Sequence, residues 1–119
     1  MLMSLIREVY IAQHAVDFRK GPDGLLAECY AMDLDPYSGE CVIFLHRTRR
    51  SLKVICGNES GLCVILRRFE GGAMQEQFPF LEDRAFVGAT HAELSMLLEG
   101  ATFEVKSRAA PWRKKIRSA

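Results

Sequence analysis

The chain is predicted to fold as an α+β domain: a mainly antiparallel sheet built on a three- to four-stranded meander, with two short helices packed on it. Three observations predict this. Residues 41–72, CVIFLHRTRRSLKVICGNESGLCVILRRFEGG, hold apolar runs at 41–45, 52–56 and 62–69, rich in Val, Ile and Leu and separated by short polar connections. That is the pattern of consecutive antiparallel strands. Behind Pro22, the residues Leu25, Leu26, Cys29, Tyr30 and Met32 recur at helical spacing. Further on, Thr90-His91-Ala92-Glu93 forms a T-x-x-E capping box ahead of Leu94, Met96, Leu97 and Leu98, with Gly100 as the stop. At 119 residues and 49% hydrophobic content the chain can bury one core, so a single domain over 1–107 is expected.

Each element has its own local reason. The N-terminal MLMSLIREVYIA is broken by Arg7 and Glu8 and lacks a small-residue cleavage pattern. It therefore predicts neither a signal peptide nor a membrane span, and a cytoplasmic protein without membrane contact is expected. Residues 9–13 read as a first strand. Pro22 suits a first helical turn, and a helix of about three turns follows. Asp33 and Asp35 are expected in its last turn, where the helix dipole disfavours acids. Pro36 and Ser38-Gly39 then turn the chain into the meander. After Gly71-Gly72, the alternation of Met74, Glu76, Phe78 and Phe80 predicts a fourth strand over 73–80. It is placed near an edge because Pro79 cannot donate to a ladder, and such an edge would allow copies to pair as a homo-oligomer. The capped helix is little more than two turns long and must gain its stability from the sheet. Residues 108–119 carry Arg108, Arg113, Lys114, Lys115 and Arg117 with no acid, the composition of a flexible basic tail.

The formal net charge of +1 conceals a segregation. Residues 21–45 hold Asp23, Glu28, Asp33, Asp35 and Glu40 without a Lys or Arg, and the acids of 69–104 are accompanied by Arg84 alone. The cations sit in the meander instead. Arg47, Arg49, Arg50, Lys53, Arg67 and Arg68 lie between His46 and Phe69, opposed by Glu59. In an antiparallel meander the end of the first strand, the start of the second and the end of the third meet at one side. These cations are therefore expected to gather into one basic patch, a directed binding face. Arg19 and Lys20 precede the first helix, where two readings stand side by side. They reach an anion near the helix N-terminus, or they pair with Asp17 and Asp23.

Catalysis is not expected. Asp17 and Asp23 flank the start of the first helix and Asp33 and Asp35 its end, so the pairs stand farther apart than the roughly 4 Å of a two-metal site. His14, His46 and His91 fall in separate segments, with His46 an added contact of the basic edge. No G-x-S-x-G, H-E-x-x-H or phosphate-cradling glycine loop occurs. Cys29, Cys41, Cys56 and Cys63 lie inside apolar runs without C-x-x-C spacing, which predicts buried reduced thiols. Cys56 and Cys63 are placed to face each other, so a disulfide or a two-ligand metal site is the other reading there. No cofactor is implied.

Five blocks taken in order, DFRKGPDGL, the DPYSG turn before CVIFL, RRSLKVI, SGLCVILRRFE and AELSMLLEG, resemble the second-open-reading-frame accessory proteins (TnpB-like) of bacterial insertion sequences of the IS-sixty-six type. The likeness runs over about residues 9–100. It departs at Cys56-Gly57-Asn58-Glu59 and at Val64-Ile65-Leu66, where that family usually has aromatic residues. The resemblance implies a transposition accessory factor, encoded beside a larger transposase and without a catalytic residue of its own. Its partners by that resemblance would be the transposase and other element-encoded proteins, and the basic patch adds DNA as an expected partner. Two roles for the patch follow. In one, Arg47, Arg49, Arg50, Lys53, Arg67 and Arg68, with Arg19, Lys20 and the tail residues Arg113, Lys114 and Lys115, neutralise DNA phosphates. In the other, the patch docks an acidic protein surface and the chain is an adaptor. Aromatics interleaved with cations would favour single strands, and the meander sequence contains almost none.

Overall fold

A computed structural model of the chain describes residues 6–70, 80–81 and 83–99. The strands are β1 (Glu8–Ala12), β2 (Glu40–Leu45), β3 (Ser51–Asn58), β4 (Gly61–Arg68) and β5 (Phe86–Ala89), and the helices are α1 (Pro22–Ala31) and α2 (His91–Leu98). The strands form one sheet in the order β4-β3-β2-β1-β5. β1 and β2 run parallel, with Glu8 opposite Glu40 and Ile11 opposite Ile43. The other pairings are antiparallel, so the expected α+β architecture and its β2-β3-β4 meander are both present.

The packing follows from β2. All of its residues, ECVIFL, are buried. Cys41, Ile43 and Leu45 enter one core, and Val42 and Phe44 enter the other. A strand covered on both faces needs a layer on each side. Its parallel neighbour also requires a crossover connection, and α1 meets both demands. Leu25 and Cys29 of α1 lie in the core with Tyr10, Ala12, Val42, Phe44 and Ile55. α2 covers the opposite face, its Leu94 and Leu97 packed among Val9, Ile11, Ile43 and Val54. The capping box holds α2 at its start: Glu93 N donates to Thr90 Oγ1 at 3.0 Å and Thr90 N donates to Glu93 Oε1 at 2.8 Å.

Several details differ from the sequence expectation. β1 lies inside the sheet, between β2 and β5, a placement decided by pairing between remote segments. β5 was not anticipated, because FVGA is too short for its alternation to register. α1 ends at Ala31, before the acids expected in its last turn. Asp33 takes φ 60°, and Leu34 N folds back to the Cys29 carbonyl at 2.9 Å. Asp35 instead caps a single 3₁₀ turn, Pro36–Ser38, by accepting from Tyr37 N, and Gly39 closes that turn at φ 92°. The strand expected over 73–80 lies outside the described residues except for Phe80, and the tail 108–119 lies outside them entirely. Cys29, Cys41, Cys56 and Cys63 are free thiols, the first three buried. Cys56 stands opposite Cys63 in register, and burial pushes Cys29 up to about 12.

The β3-β4 hairpin turns over Glu59 and Ser60 and depends on a close backbone approach. A Cβ added at Gly57 would fall inside contact distance of the Gly61 carbonyl oxygen. Gly57→Ala is therefore expected to destabilise the fold by about 1–3 kcal/mol, read as a lower midpoint in urea unfolding with the slope unchanged.

Candidate nucleic-acid interface

Strand direction decides where the cations meet. Because β1 and β2 are parallel and β4 runs back beside β3, the carboxyl ends of β1, β2 and β4 all lie at one end of the sheet. The connections 13–21, 46–50 and 69–85 leave from there. Arg19 and Lys20 come from the first and Arg47, Arg49 and Arg50 from the second. Lys53, Arg67 and Arg68 stand on the adjoining strands, with Ser51 opposite Arg68 and Leu52 opposite Arg67. A hydrogen bond from Phe69 N to the Arg50 carbonyl, 2.7 Å, ties the third connection to the second. The candidate cations of the described residues thus share one end. Arg113, Lys114 and Lys115 lie outside those residues.

Their environments divide them. Arg47 and Arg50 are exposed, and neither has an acidic partner among the described residues. Arg49 sits at φ 56°, bonds the Arg47 carbonyl at 2.7 Å and lays its guanidinium 3.9 Å from the centre of the Phe80 ring. A tight local network shapes this turn. His46 Nδ1 lies 2.9 Å from Thr48 Oγ1 and accepts from Thr48 N at 3.2 Å, while Arg50 N donates to Thr48 Oγ1 at 3.3 Å. Arg67 lies over the Phe69 ring at 5.4 Å, and Arg68 pairs loosely with Glu70 at 3.8 Å, both groups well exposed.

Lys53 has a structural duty. Its ammonium donates to the carbonyls of Phe18 at 2.7 Å and Lys20 at 3.0 Å and lies 5.3 Å from the centre of the Phe18 ring. It clamps the first connection onto β3. Arg19 forks onto Asp17, with Nη2 to Oδ2 at 2.7 Å and Nε to Oδ1 at 3.1 Å. That bond holds the Asp17 carboxyl down at about 2 and raises the Arg19 guanidinium. Lys20 pairs with Glu28 at 3.6 Å, and His14 meets the same carboxylate at 3.3 Å. So Arg19 and Lys20 pair with acids, the second of them Glu28 in place of Asp23.

Sequence reasoning missed the aromatics. Phe18, Phe69 and Phe80 each lie under a cation of this end, and Phe18 also meets His46 edge-on at 5.2 Å between ring centres. Phe18 and Phe80 come from connections remote from Lys53 and Arg49, the cations they serve, so no local pattern announced them, whereas Phe69 stands two residues from its partner Arg67. Between residues 15–19 and 46–47 lies a cleft of about 460 Å³ whose lining includes Phe18, Arg19, His46 and Arg47. Among the described residues no three His, Cys, Asp or Glu side chains form a group able to hold a metal ion. Nor is any described helix long and apolar enough to cross a membrane.

The fold and this end define a small α+β protein with a mixed sheet and a cationic, aromatic-backed end. The family profile described as IS66 Orf2 like protein matches residues 7–108, and the chain belongs to that family. It is accordingly a transposition accessory protein, of a family without known catalytic activity. No curated protein and no solved structure matches the chain.

Two outcomes test these assignments. Lys53→Met leaves two carbonyls without their donor and is expected to cost about 1–3 kcal/mol, whereas Arg47→Ala should stay within about 0.5 kcal/mol of the parent, both read by thermal or urea unfolding. For Asp17, the depressed pKa means that the pairing with Arg19 is complete above the ordinary 3.8 and is lost as pH falls through about 2. A carboxyl-carbon NMR titration should find its midpoint there.

Proposed function

We propose that this accessory protein contacts DNA of its insertion sequence through the cationic end of the sheet. The observation that carries the reading is the convergence of Arg47 and Arg50, exposed and without an acidic partner among the described residues, beside Arg49, Arg67 and Arg68. Guanidinium groups so placed can neutralise neighbouring phosphates and release their counterions. Phosphate contacts orient the protein, and any sequence preference comes from one or two arginines reaching a guanine edge. In this reading Lys53 and Lys20 shape the end, and Arg19 contributes a guanidinium already half-occupied by Asp17. The basic tail residues Arg113, Lys114 and Lys115 add further phosphate contacts. The protein acts in the cytoplasm, where the transposase of the element works on the same DNA.

A second reading rests on a separate feature. Among the described residues β4 is an edge strand, with Leu66 60% exposed, and an open edge accepts a strand from another chain. As an adaptor, the protein would join the transposase, another element-encoded protein or a second copy of itself there.

Gel-shift titration against element-end and unrelated duplexes separates the two. The combined Arg47→Ala, Arg49→Ala and Arg50→Ala variant is expected to weaken DNA binding at least about tenfold. It should also lower the log-log salt slope by about 2–3, at ~0.9 per phosphate contact. Parental affinity in the triple variant would remove the patch from the interface, and association with the transposase that survives high salt and nuclease treatment would favour the adaptor.

A further inference from the structure

We propose that the cleft between residues 15–19 and 46–47 holds one unpaired nucleotide, so that the protein prefers a frayed or single-stranded DNA segment to a closed duplex. The proposal rests on the DNA-contact reading and names the form of DNA that the same end selects.

Size is the first argument. About 460 Å³ falls within the ~300–1,000 Å³ of small-molecule sites and suits a single nucleotide. A base pair, with both base faces stacked and its pairing edge occupied, does not enter. Position is the second, since the cleft opens at the carboxyl ends of the parallel neighbours β1 and β2, beside the exposed guanidinium groups that would hold the adjoining phosphates.

Chemistry is the third argument. Phe18 is half-buried and supplies an aromatic surface whose position is fixed from behind. Lys53 anchors the Phe18 carbonyl at 2.7 Å, and the His46 ring packs against it in a T-shaped contact at 5.2 Å and 84°. A preformed aromatic plate favours base stacking because little freedom is lost on binding. Nδ1 of His46 accepts from Thr48 N, so in the neutral ring the proton sits on Nε2 and can donate to a base or phosphate oxygen. Arg47 contributes an exposed guanidinium at the rim, without an acidic partner among the described residues. Asp17 is the one acid of the cleft lining, and its repulsion of a phosphate is reduced because both carboxylate oxygens bond Arg19.

The test measures fluorescence anisotropy of the full chain with three DNA probes of equal phosphate number: a blunt duplex, a duplex with a four-nucleotide overhang, and a single strand. The overhang should bind about tenfold more tightly than the blunt duplex, the gain of roughly one stacked base. A 2-aminopurine in the overhang should lose fluorescence on binding. Phe18→Leu, which keeps the apolar volume but removes the ring, should bring the overhang-to-blunt ratio to about one, and Phe18→Tyr should restore it. Should Phe18→Leu fail to fold, the 2-aminopurine signal and the Phe18→Tyr ratio carry the test. Equal binding of blunt and overhang probes by the parent protein overturns this inference and leaves duplex contact standing. A ratio unchanged in a folded Phe18→Leu also overturns it. Failure to bind any probe removes both this inference and the DNA-contact reading beneath it.

Discussion

The parallel pairing of β1 with β2 is the constraint on which the rest depends. A strand apolar on both faces cannot lie at a solvated surface without exposing one of them. β2 must therefore sit inside the sheet, with β3 on one side and a second strand on the other. The chain supplies that second strand from before α1, and the crossover forces it to be parallel. With β1 parallel to β2, the segment after β1 emerges where β2 ends and β3 begins. Had β1 been antiparallel, Phe18, Arg19 and Lys20 would have left from the opposite end of the sheet, and Lys53 would have had no carbonyls to bind.

Lys53 shows how little a charge census says about role. Its sequence context, between Leu52 and Val54 at the start of a basic hairpin, matches that of a phosphate contact. Yet an ammonium giving two short bonds to backbone carbonyls has only one donor left, and a phosphate would have to share its charge with both. Among the described residues, the exposed guanidinium groups of Arg47 and Arg50 meet no such competition. The end is thus layered. A lysine closes the joint between the first connection and β3, a histidine and a threonine stiffen the turn after β2, and arginines occupy the outside.

What could be read from the sequence was what chemistry writes locally. The capping box at Thr90 and Glu93, the proline-started helix, the hairpin strands and the collection of meander cations each depend on neighbours within a few residues or on adjacent antiparallel strands. What could not be read depends on pairing between remote segments. The central position of β1 rests on contacts to residues about thirty and about eighty positions away in the chain. The end of α1 turned on one aspartate adopting a left-handed conformation, a choice available to Asp33 because its short polar side chain tolerates that region. Two of the phenylalanines behind the cations were hidden for the same reason as β1: Phe18 meets Lys53 and Phe80 meets Arg49 only once the sheet is assembled.

The near-neutral total of this chain bears on how such an end would work. Asp33, Asp35, Glu40 and Glu59 belong to the end opposite the arginines, because α1 descends to the start of β2 and the β3-β4 hairpin turns there. An eight-residue strand is about 25 Å long, more than twice the ~10 Å over which exposed charges act in 0.1 M salt. Under those conditions a phosphate beside Arg47 is insulated from the distant acids, and the attraction it meets is set by the local cluster. The same separation orients the molecule during approach, since a polyanion is drawn to one end and repelled from the other. The +1 balance therefore opposes indiscriminate adhesion while leaving the arginine end effective at close range, the electrostatic form that would let one end of the molecule meet an anionic surface in one orientation.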